Sequence, residues 1–316
     1  MIKYRGGKSK EIPAIKWQIP HFRGRYIEPF FGGGALFFYL EPREAIINDI
    51  NTQLMKFYIG VRDNYQSLRK ELDEIEHIYS INRSEFDKLK ALHPKDRVDD
   101  KNEDLYYHLR AQFNGLEPKQ YSDALLYYYI NKTAYSGMIR YNSQGEFNVP
   151  FGRYGSLNTD NVSILHSKLL QRAEIYNMDY SLVFELSDKD DFIFLDPPYD
   201  CVFSDYGNIT YMEDGFNEQE HRRLAQDFKN LSCKTLMIIG KTPLTEELYH
   251  DFIQEEYEKN YAVNIRNRFK SKATHIVVAN YKREWNDHKP IEYDEQPEIA
   301  QLMVFEKETK YGKKNK

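Results

Sequence analysis

Four residues, Asp196-Pro197-Pro198-Tyr199, constrain the fold more than any other feature of the chain. They follow Phe192-Ile193-Phe194-Leu195, a short apolar run that reads as a buried β-strand. Proline has no N–H for a sheet ladder, so the strand stops at the tetrapeptide. Asp196 is thereby held at a strand's carboxyl end, with a stiff backbone and an aromatic ring behind it. In open α/β sheets, ligands bind outside the carboxyl ends of the strands. The three side-chain types suit a planar base that carries an exocyclic amine. Asp196 and the carbonyl of Pro197 can accept from the amine, and Tyr199 can stack on the ring. The plainer reading is a strand-ending turn in which Asp196 caps a helix.

The chain's 316 residues are enough for one large domain or two ordinary ones. No run of eighteen apolar residues is present, so no membrane span is expected, and the start does not read as a signal peptide. Cys201 and Cys233 are the only cysteines, and they have no metal-ligand spacing. A reduced cytoplasm and no metal are the expectations. The net charge of −5 argues weakly against a polyanion partner, but its distribution does not. Lys3, Arg5, Lys8, Lys10, Lys16, Arg23 and Arg25 stand near the start against Glu11 alone, and Arg266, Arg268, Lys270 and Lys272 lie together. Such patches fit DNA or ordinary solvated surface equally well. The 26 tyrosines include Tyr127-Tyr128-Tyr129, expected to have both buried and exposed members.

Along the chain, residues 8–20 read as a short basic helix and 25–30 as a strand. The strand enters Gly32-Gly33-Gly34 and an apolar helix over 35–40, and 45–49 is a second strand ending at Asp49. Residues 52–132 are helix-rich and charged, with amphipathic stretches near 68–78 and 84–92. Residues 137–154 read as a β-hairpin with its turn at 142–145. Strands resume at 173–176, 192–195, 235–239 and 276–281, and a helix over 217–230 opens with Asn217 as its cap. The plan is an α/β sheet domain, 1–52 and 166–283, with a helical and hairpin insertion over 53–165 and a polar tail over 284–316.

The glycines at a strand-to-helix turn let a ligand approach the backbone closely. They do not spell G-x-G-x-x-G, so no phosphate is required. An acid ending the second strand commonly takes a ribose hydroxyl pair, and S-adenosylmethionine is a nucleoside ligand without phosphate. A tight structural turn and a helix cap are the plainer readings of Gly32–Gly34 and Asp49.

Five segments in order resemble the DNA adenine-N6 methyltransferases of the Dam type, the D12 class in its α-group arrangement. They are Lys3-Tyr4-Arg5-Gly6-Gly7-Lys8, Glu28-Pro29-Phe30-Phe31-Gly32-Gly33-Gly34, Asn48-Asp49-Ile50-Asn51, the run from Gly145 to Tyr154, and Asp196-Pro197-Pro198-Tyr199. The resemblance covers about residues 1–283. It implies a Rossmann-like S-adenosylmethionine-dependent methyltransferase sheet with an inserted DNA-recognition domain, acting on double-stranded DNA. Tyr4 and Lys8 would flank the methionine end of the cofactor. Glu28, Phe30 and Gly32, with Gly33 and Gly34, would line its pocket, and Asp49 would bind the ribose. Asp179 and Tyr180 would meet the cofactor's adenine. Asp196, Pro197 and Tyr199 would be catalytic on a flipped target adenine, Asp196 also bordering the cofactor. Tyr135 would wedge into the base stack beside Ser136 and Met138. Arg140 would read a guanine, with Asn142, Pro150 and Tyr154 beside it, and Lys3 would contact the first base pair.

Tyr4 and Arg5 stand where the best-known members have Trp and Ala, Ser136 and Met138 where they have Asn and Leu, and Gly240-Lys241-Thr242 where many have Ser-Asn. A GATC-like target is the first expectation. No obligate protein partner is evident, and a cognate restriction endonuclease is one partner such enzymes can have. The expected setting is a bacterial nucleoid or a phage-infected cell. Methylation of another amine, a DNA-binding regulator with a dead site and a metabolite-binding Rossmann protein are the competing classes. Intact Asp49, Asp196 and Tyr199 weigh against the regulator, and Arg140 on a polar hairpin weighs against the metabolite binder.

Overall fold

Strands whose residues are apolar at every position must be covered on both faces. In the computed structural model, which describes residues 1–4, 7–8, 11–199, 216–260 and 272–282, that is how the apolar runs are used. The strands are β1 (Tyr26–Glu28), β2 (Ala45–Asn48), β3 (Ala173–Tyr176), β4 (Phe192–Leu195), β5 (Lys234–Gly240), β6 (Ile253–Asn260) and β7 (Lys272–Ala279). They form one sheet in the order β3-β2-β1-β4-β5-β7-β6. The first five are parallel, with Ile27 opposite both Ile46 and Ile193. β7 runs antiparallel to β5, and β6 antiparallel to β7.

Alternate strand residues supply two cores. Tyr26, Ile47, Phe192, Phe194, Leu236 and Ile238 point to one layer. It is roofed by α2 (Ala35–Leu40), α3 (Thr52–Asp63) and α6 (Asp123–Thr133). Ile27, Ile46, Ile193, Leu195, Met237 and Ile239 point to the other. That face carries α8 (Tyr180–Phe184), α9 (Glu218–Asn230) and α10 (Pro243–Tyr249). The remaining helices are α1 (Ile12–Ile15), α4 (Tyr65–Leu92), α5 (Lys101–Phe113) and α7 (Ile164–Leu170). No helix among the described residues is long and apolar enough to cross a membrane.

Several expectations change. The basic helix over 8–20 is a single turn, α1, followed by a 3₁₀ turn over Lys16–Gln18. The two amphipathic stretches near 68–78 and 84–92 are one helix, α4. The hairpin keeps its turn, with Gly145 N–H on Asn142 O at 3.0 Å, but in place of a ladder its arms share one bridge, Tyr141 to Phe147, with contacts between Arg140 and Asn148, and Phe151 bridges to Ala134 outside it. Residues 135–137 form a 3₁₀ turn. Tyr127, Tyr128 and Tyr129 are all buried, because α6 is enclosed by α3, α4 and α5 and has no wet face. Strand β6 was not foreseen: its Gln254-Glu255-Glu256 run is the polar signature of an edge strand. Helix α10 was also passed over, although Thr242 as cap and Pro243 at the first position announce it. Asn217 caps α9 as expected, accepting from Glu220 N–H. Residues 1–282 form one compact unit by their internal contacts. Cys201, Arg266, Arg268, Lys270 and the tail over 284–316 lie outside the described residues.

Asp191 ties the starts of β1 and β4 together. It is buried and accepts from Arg25 N–H at 2.6 Å, Arg25 Nη2 at 2.8 Å and Asp188 N–H at 2.9 Å. Burial pushes its carboxyl up, but the Arg25 and backbone hydrogen bonds outweigh that and hold it below the ordinary range. Replacing Asp191 by Ala takes the acceptor from Arg25 and from the Asp188 N–H, so Asp191→Ala should cost about 3 kcal/mol in urea denaturation. A depressed folded pKa makes this contribution present above the ordinary 3.8 and lost as pH falls through the folded value. The gap between wild type and variant should therefore close in acid.

Candidate active site

The parallel strands bring their carboxyl ends to one edge, and the chain leaves β1 toward β2 on one side while β4 stands on the other. The crevice between two such strands is where an open α/β sheet takes its ligand. Asn48, at the end of β2, clamps that edge. Its Nδ2 donates to Pro29 O and Met178 O, both at 3.0 Å, and its Oδ1 accepts from Met178 N–H at 2.9 Å. The loops after β1, β2 and β3 are thus locked by one buried amide.

Asp49 and Tyr58 hold the glycine turn from two sides. Asp49 accepts from Gly32 N–H at 2.8 Å and from Asn51 N–H at 2.9 Å, while the Tyr58 hydroxyl donates to Gly32 O at 2.9 Å. Gly32 has φ +49, and an added Cβ would stand 2.7 Å from the Tyr4 ring. Gly34 has φ +62 and begins α2 with no room beside Phe31. Burial raises the Asp49 carboxyl, and the two N–H groups only partly oppose it. Glu28, at the end of β1, is 3 % exposed. Burial lifts its pKa well above the carboxylate range, the Tyr26 hydroxyl at 2.8 Å pulls the other way, and the charges of Asp196 and Asp49 raise it further. Burial, then the charge of Asp49, likewise pushes the Tyr4 phenol up.

Next to this acidic pocket stands Lys8, 2 % exposed. Its Nζ donates to Asp196 Oδ1 and to the Tyr199 hydroxyl, each at 2.5 Å, and lies 4.9 Å from the Tyr199 ring centroid. On the far side, Phe30 packs against Tyr180 with centroids 5.1 Å apart. Asp179 caps α8 through Ser181 N–H and pairs with Arg223 Nη2 at 2.6 Å. Burial works against its ionisation, but the Arg223 and Ser181 hydrogen bonds keep the carboxyl below its ordinary pKa.

This arrangement, buried acids at adjoining strand ends with Asp196 and Tyr199 held by Lys8 beside them, agrees with similarity to known proteins. Residues 4–265 match the family of D12 class N6 adenine-specific DNA methyltransferases. The chain belongs to this family. It is 34 % identical over 289 residues to the type II methyltransferase M.CviBI of Paramecium bursaria Chlorella virus NC1A, covering 89 % of this chain and 99 % of that one. It is 32 % identical over 274 residues to the type II methyltransferase M.MjaIII of Methanocaldococcus jannaschii, covering 81 % and 87 %. To the DNA adenine methylase of Salmonella typhi it is 29 % identical over 256 residues, covering 78 % and 83 %. The protein is therefore an adenine-specific DNA methyltransferase with a mixed α/β sheet fold, and DNA is its substrate.

Within this methyltransferase, the residues expected at the cofactor and the target base gather around the ends of β1, β2, β3 and β4. Those expected at DNA gather separately, with Lys3 in that group and Tyr4 and Lys8 in the first. Lys3 is bonded backbone to side chain with Asn131, at 2.8 and 2.7 Å, and its Nζ lies 4.1 Å from the Tyr154 ring centroid. Tyr135 is 49 % exposed on its 3₁₀ turn, and Ser136 takes a left-handed φ of 56°. Pro150 O accepts from Tyr135 N–H at 2.9 Å, and Met138 is half-buried against the core. Arg140 donates through Nε to Asn148 Oδ1 at 2.7 Å and through Nη2 to Asn148 O at 3.3 Å. Asn142 organises the turn, accepting from Gln144 and Glu146 N–H and donating to Glu146 Oε2.

Three contributors were given no role from sequence. Asn48 belongs to a segment that resembles the family, but its hold on Pro29 and Met178 is not readable there. Tyr58 and Arg223 act through partners distant in the chain, and nothing local marks them. Among the described residues no group of three His, Cys, Asp or Glu side chains could hold a metal ion.

A buried acid with a raised pKa contributes stability fully below its ordinary value, and this is lost as pH rises through the folded value. Glu28→Gln keeps an acceptor for Tyr26 and never ionises. In the absence of cofactor, its thermal stability should equal that of wild type below the ordinary 4.5 and exceed it increasingly as pH rises above that value. Melting curves on both sides of that value check it.

Proposed function

We propose that this enzyme takes its methyl group from S-adenosylmethionine and places it on N6 of an adenine turned out of duplex DNA. The observation that carries the reading is the contact of Lys8 with Asp196 and Tyr199. A nitrogen with hydrogens to donate already sits on Asp196, beside the Tyr199 ring, which supports that carboxylate as an acceptor for an exocyclic amine. An incoming adenine amine competes with Lys8 Nζ for the Asp196 oxygen.

The residues fit the cofactor. The charges of Asp196 and Asp49 add to the cost of ionising Glu28, a situation that a pyrophosphate would worsen and a sulfonium relieves. Gly32 and Gly34 admit Tyr4 and Phe31 against the turn beside Asp49, whose remaining lone pairs suit a ribose. Phe30, Tyr180 and Asp179 suit an adenine, and Tyr4 and Lys8 the methionine end. The bound cofactor supplies a methyl group already activated by positive sulfur.

Adenine N6 is a weak nucleophile because its lone pair is spread into the ring. Asp196 and the Pro197 carbonyl draw on its two hydrogens and favour the pyramidal nitrogen, a charge-assisted bond contributing about 1.5–3 kcal/mol. Alkylation leaves the nitrogen with one proton too many, and Asp196 is placed to accept it. Tyr199 offers the flipped ring a stacking surface, which offsets the few kcal/mol of unstacking. Alignment of amine and methyl supplies much of the remaining acceleration.

Residues 53–165 are assigned to DNA recognition, with Tyr135 as the wedge, Ser136, Met138, Asn142, Pro150 and Tyr154 along the groove, and Lys3 at the first base pair. Arg140, pre-oriented by Asn148, reads a guanine of a GATC-like site. A restriction endonuclease of the same specificity is the natural functional counterpart, and the cytoplasm the natural setting.

Calorimetry should find S-adenosylmethionine bound near 1:1. Asp196→Ala should keep that binding and lose methyl transfer to DNA. A folded Asp196→Ala protein with full activity overturns the assignment, as does wild-type protein that binds NAD or ATP and not S-adenosylmethionine. For Arg140→Ala, competition binding against every single-pair variant of the preferred site should show discrimination lost at one pair, by about 1–3 kcal/mol. A uniform loss across all variants would assign Arg140 to the phosphate backbone instead.

A further inference from the structure

Behind Tyr199 lies a buried polar cluster that plays no part in the chemistry derived above. His275 on β7 is fully buried, and Glu11, just before α1, is 5 % exposed. Glu11 Oε2 is 2.9 Å from His275 Nδ1 and 2.6 Å from the hydroxyl of Tyr257 on β6. A carboxylate only accepts, so the imidazole N–H and the phenol both donate to one oxygen. Tyr257 and His275 are register partners across β6 and β7. Glu11 reaches His275 from 264 positions away and Tyr257 from 246.

Two arms connect this cluster to the amine pocket. The His275 ring meets the Tyr199 ring edge to face, with centroids 5.1 Å apart at 82°. Gly240, which pairs with His275 across β5 and β7, closes the same side: an added Cβ would lie 3.8 Å from Tyr199 Cδ2. The second arm is the main chain. Glu11 N–H donates to Lys8 O at 2.7 Å, so the residue anchored by His275 and Tyr257 also anchors the turn that presents Lys8. The Lys8 ammonium then contacts Asp196 and Tyr199 from the front. The Tyr199 ring is held between a wall set by His275 and a cation set by Glu11.

Burying a carboxylate and an imidazole is expensive, and well-packed apolar side chains commonly serve stability as well or better. A polar node at this place fixes geometry instead, because its hydrogen bonds are directional where apolar packing is not.

We propose that Glu11, His275 and Tyr257 form a positioning node for the methyl-transfer site, fixing the ring of Tyr199 and the place of Lys8 so that the target amine meets Asp196 in line. The proposal rests on the reading of Asp196 and Tyr199 as the adenine site. None of the three residues touches the reacting atoms.

The test uses the full chain with steady-state methylation of duplex DNA, cofactor calorimetry and thermal melting on every variant. His275→Phe keeps a ring against Tyr199 and removes the bond to Glu11. Glu11→Leu removes the acceptor, and Glu11→Gln keeps an acceptor oxygen for both donors. His275→Phe and Glu11→Leu should each lower kcat about tenfold with KM for S-adenosylmethionine unchanged, the scale expected of a small misplacement at a reacting centre. Their double variant should be no worse than either single one, because residues of one network are not additive. Glu11→Gln should recover most of the activity. Tyr257→Phe, which removes one donor and disturbs packing least, should lower kcat about threefold, and serves if the larger changes fail to fold.

Unchanged kcat in folded Tyr257→Phe, His275→Phe and Glu11→Leu proteins would overturn the node. So would cofactor affinity falling in step with kcat, since that marks a mere anchor for the N-terminal segment. Either result, with active wild type, leaves the adenine-site reading standing. Wild-type protein that transfers no methyl group to adenine removes the reading and the node together.

Discussion

Strands β3, β2, β1, β4 and β5 run in one direction, so five carboxyl ends open on the same edge of the sheet. Parallel strands exhaust their side chains on two cores, and only the residues just past their ends remain available for chemistry. Glu28, Asp49, Asp179, Asp196 and Gly240 all occupy such positions. The site is assembled from residues up to 212 positions apart, between Glu28 and Gly240, without any of them leaving its strand end. Asn48 keeps the loops of three strands at fixed spacing, so this edge behaves as one rigid surface.

The edge is electrostatically unfinished. Acidic groups at the ends of β1, β2 and β4 face one another with little solvent between them, and burial holds Glu28 and Asp49 above their ordinary pKa values. Lys8 supplies a positive charge within the chain itself, directly against Asp196. The same accumulation of acids accounts for a donor nitrogen between Asp196 and Tyr199. The short N-terminal segment matters out of proportion to its length. Lys3 touches the group assigned to DNA, Tyr4 packs against the glycine turn, and Lys8 reaches Asp196.

Much of this was legible locally. The Asp-Pro-Pro-Tyr tetrapeptide reads as a strand end because proline cannot continue a ladder, and α2 reads as a helix over 35–40 from its apolar run between Gly34 and Pro42. The turn at 142–145 and the cap at Asn217 follow from side chains that bond their own backbone neighbours. Elsewhere the local signal misled. The tyrosine run 127–129 suggests a two-faced helix, but helices on every side bury all of it. Residues 137–154 alternate like a ladder, yet their carbonyls and amides are met by Asn114, Tyr106 and Arg110 from α5 as well as by the opposite arm. Strand β6 has almost no apolar residues, because an edge strand has only one neighbour to satisfy.

The amino-acid sequence by itself determined the elements whose causes are short-ranged: the apolar strands, the glycine turn, the caps, and the order of motifs that marks a D12 class methyltransferase. It also named most side chains now seen at the crevice, since chemistry demands particular residue types at strand ends. The tertiary structure alone decided which groups meet. The Lys8 contact with Asp196 spans 188 positions and the Glu11 contact with His275 spans 264. The clamp of Arg223 on Asp179 and the hold of Asn48 on Met178 are of the same kind. Such pairings depend on the sheet bringing distant strand ends to one edge, and no local pattern of residues encodes that distance.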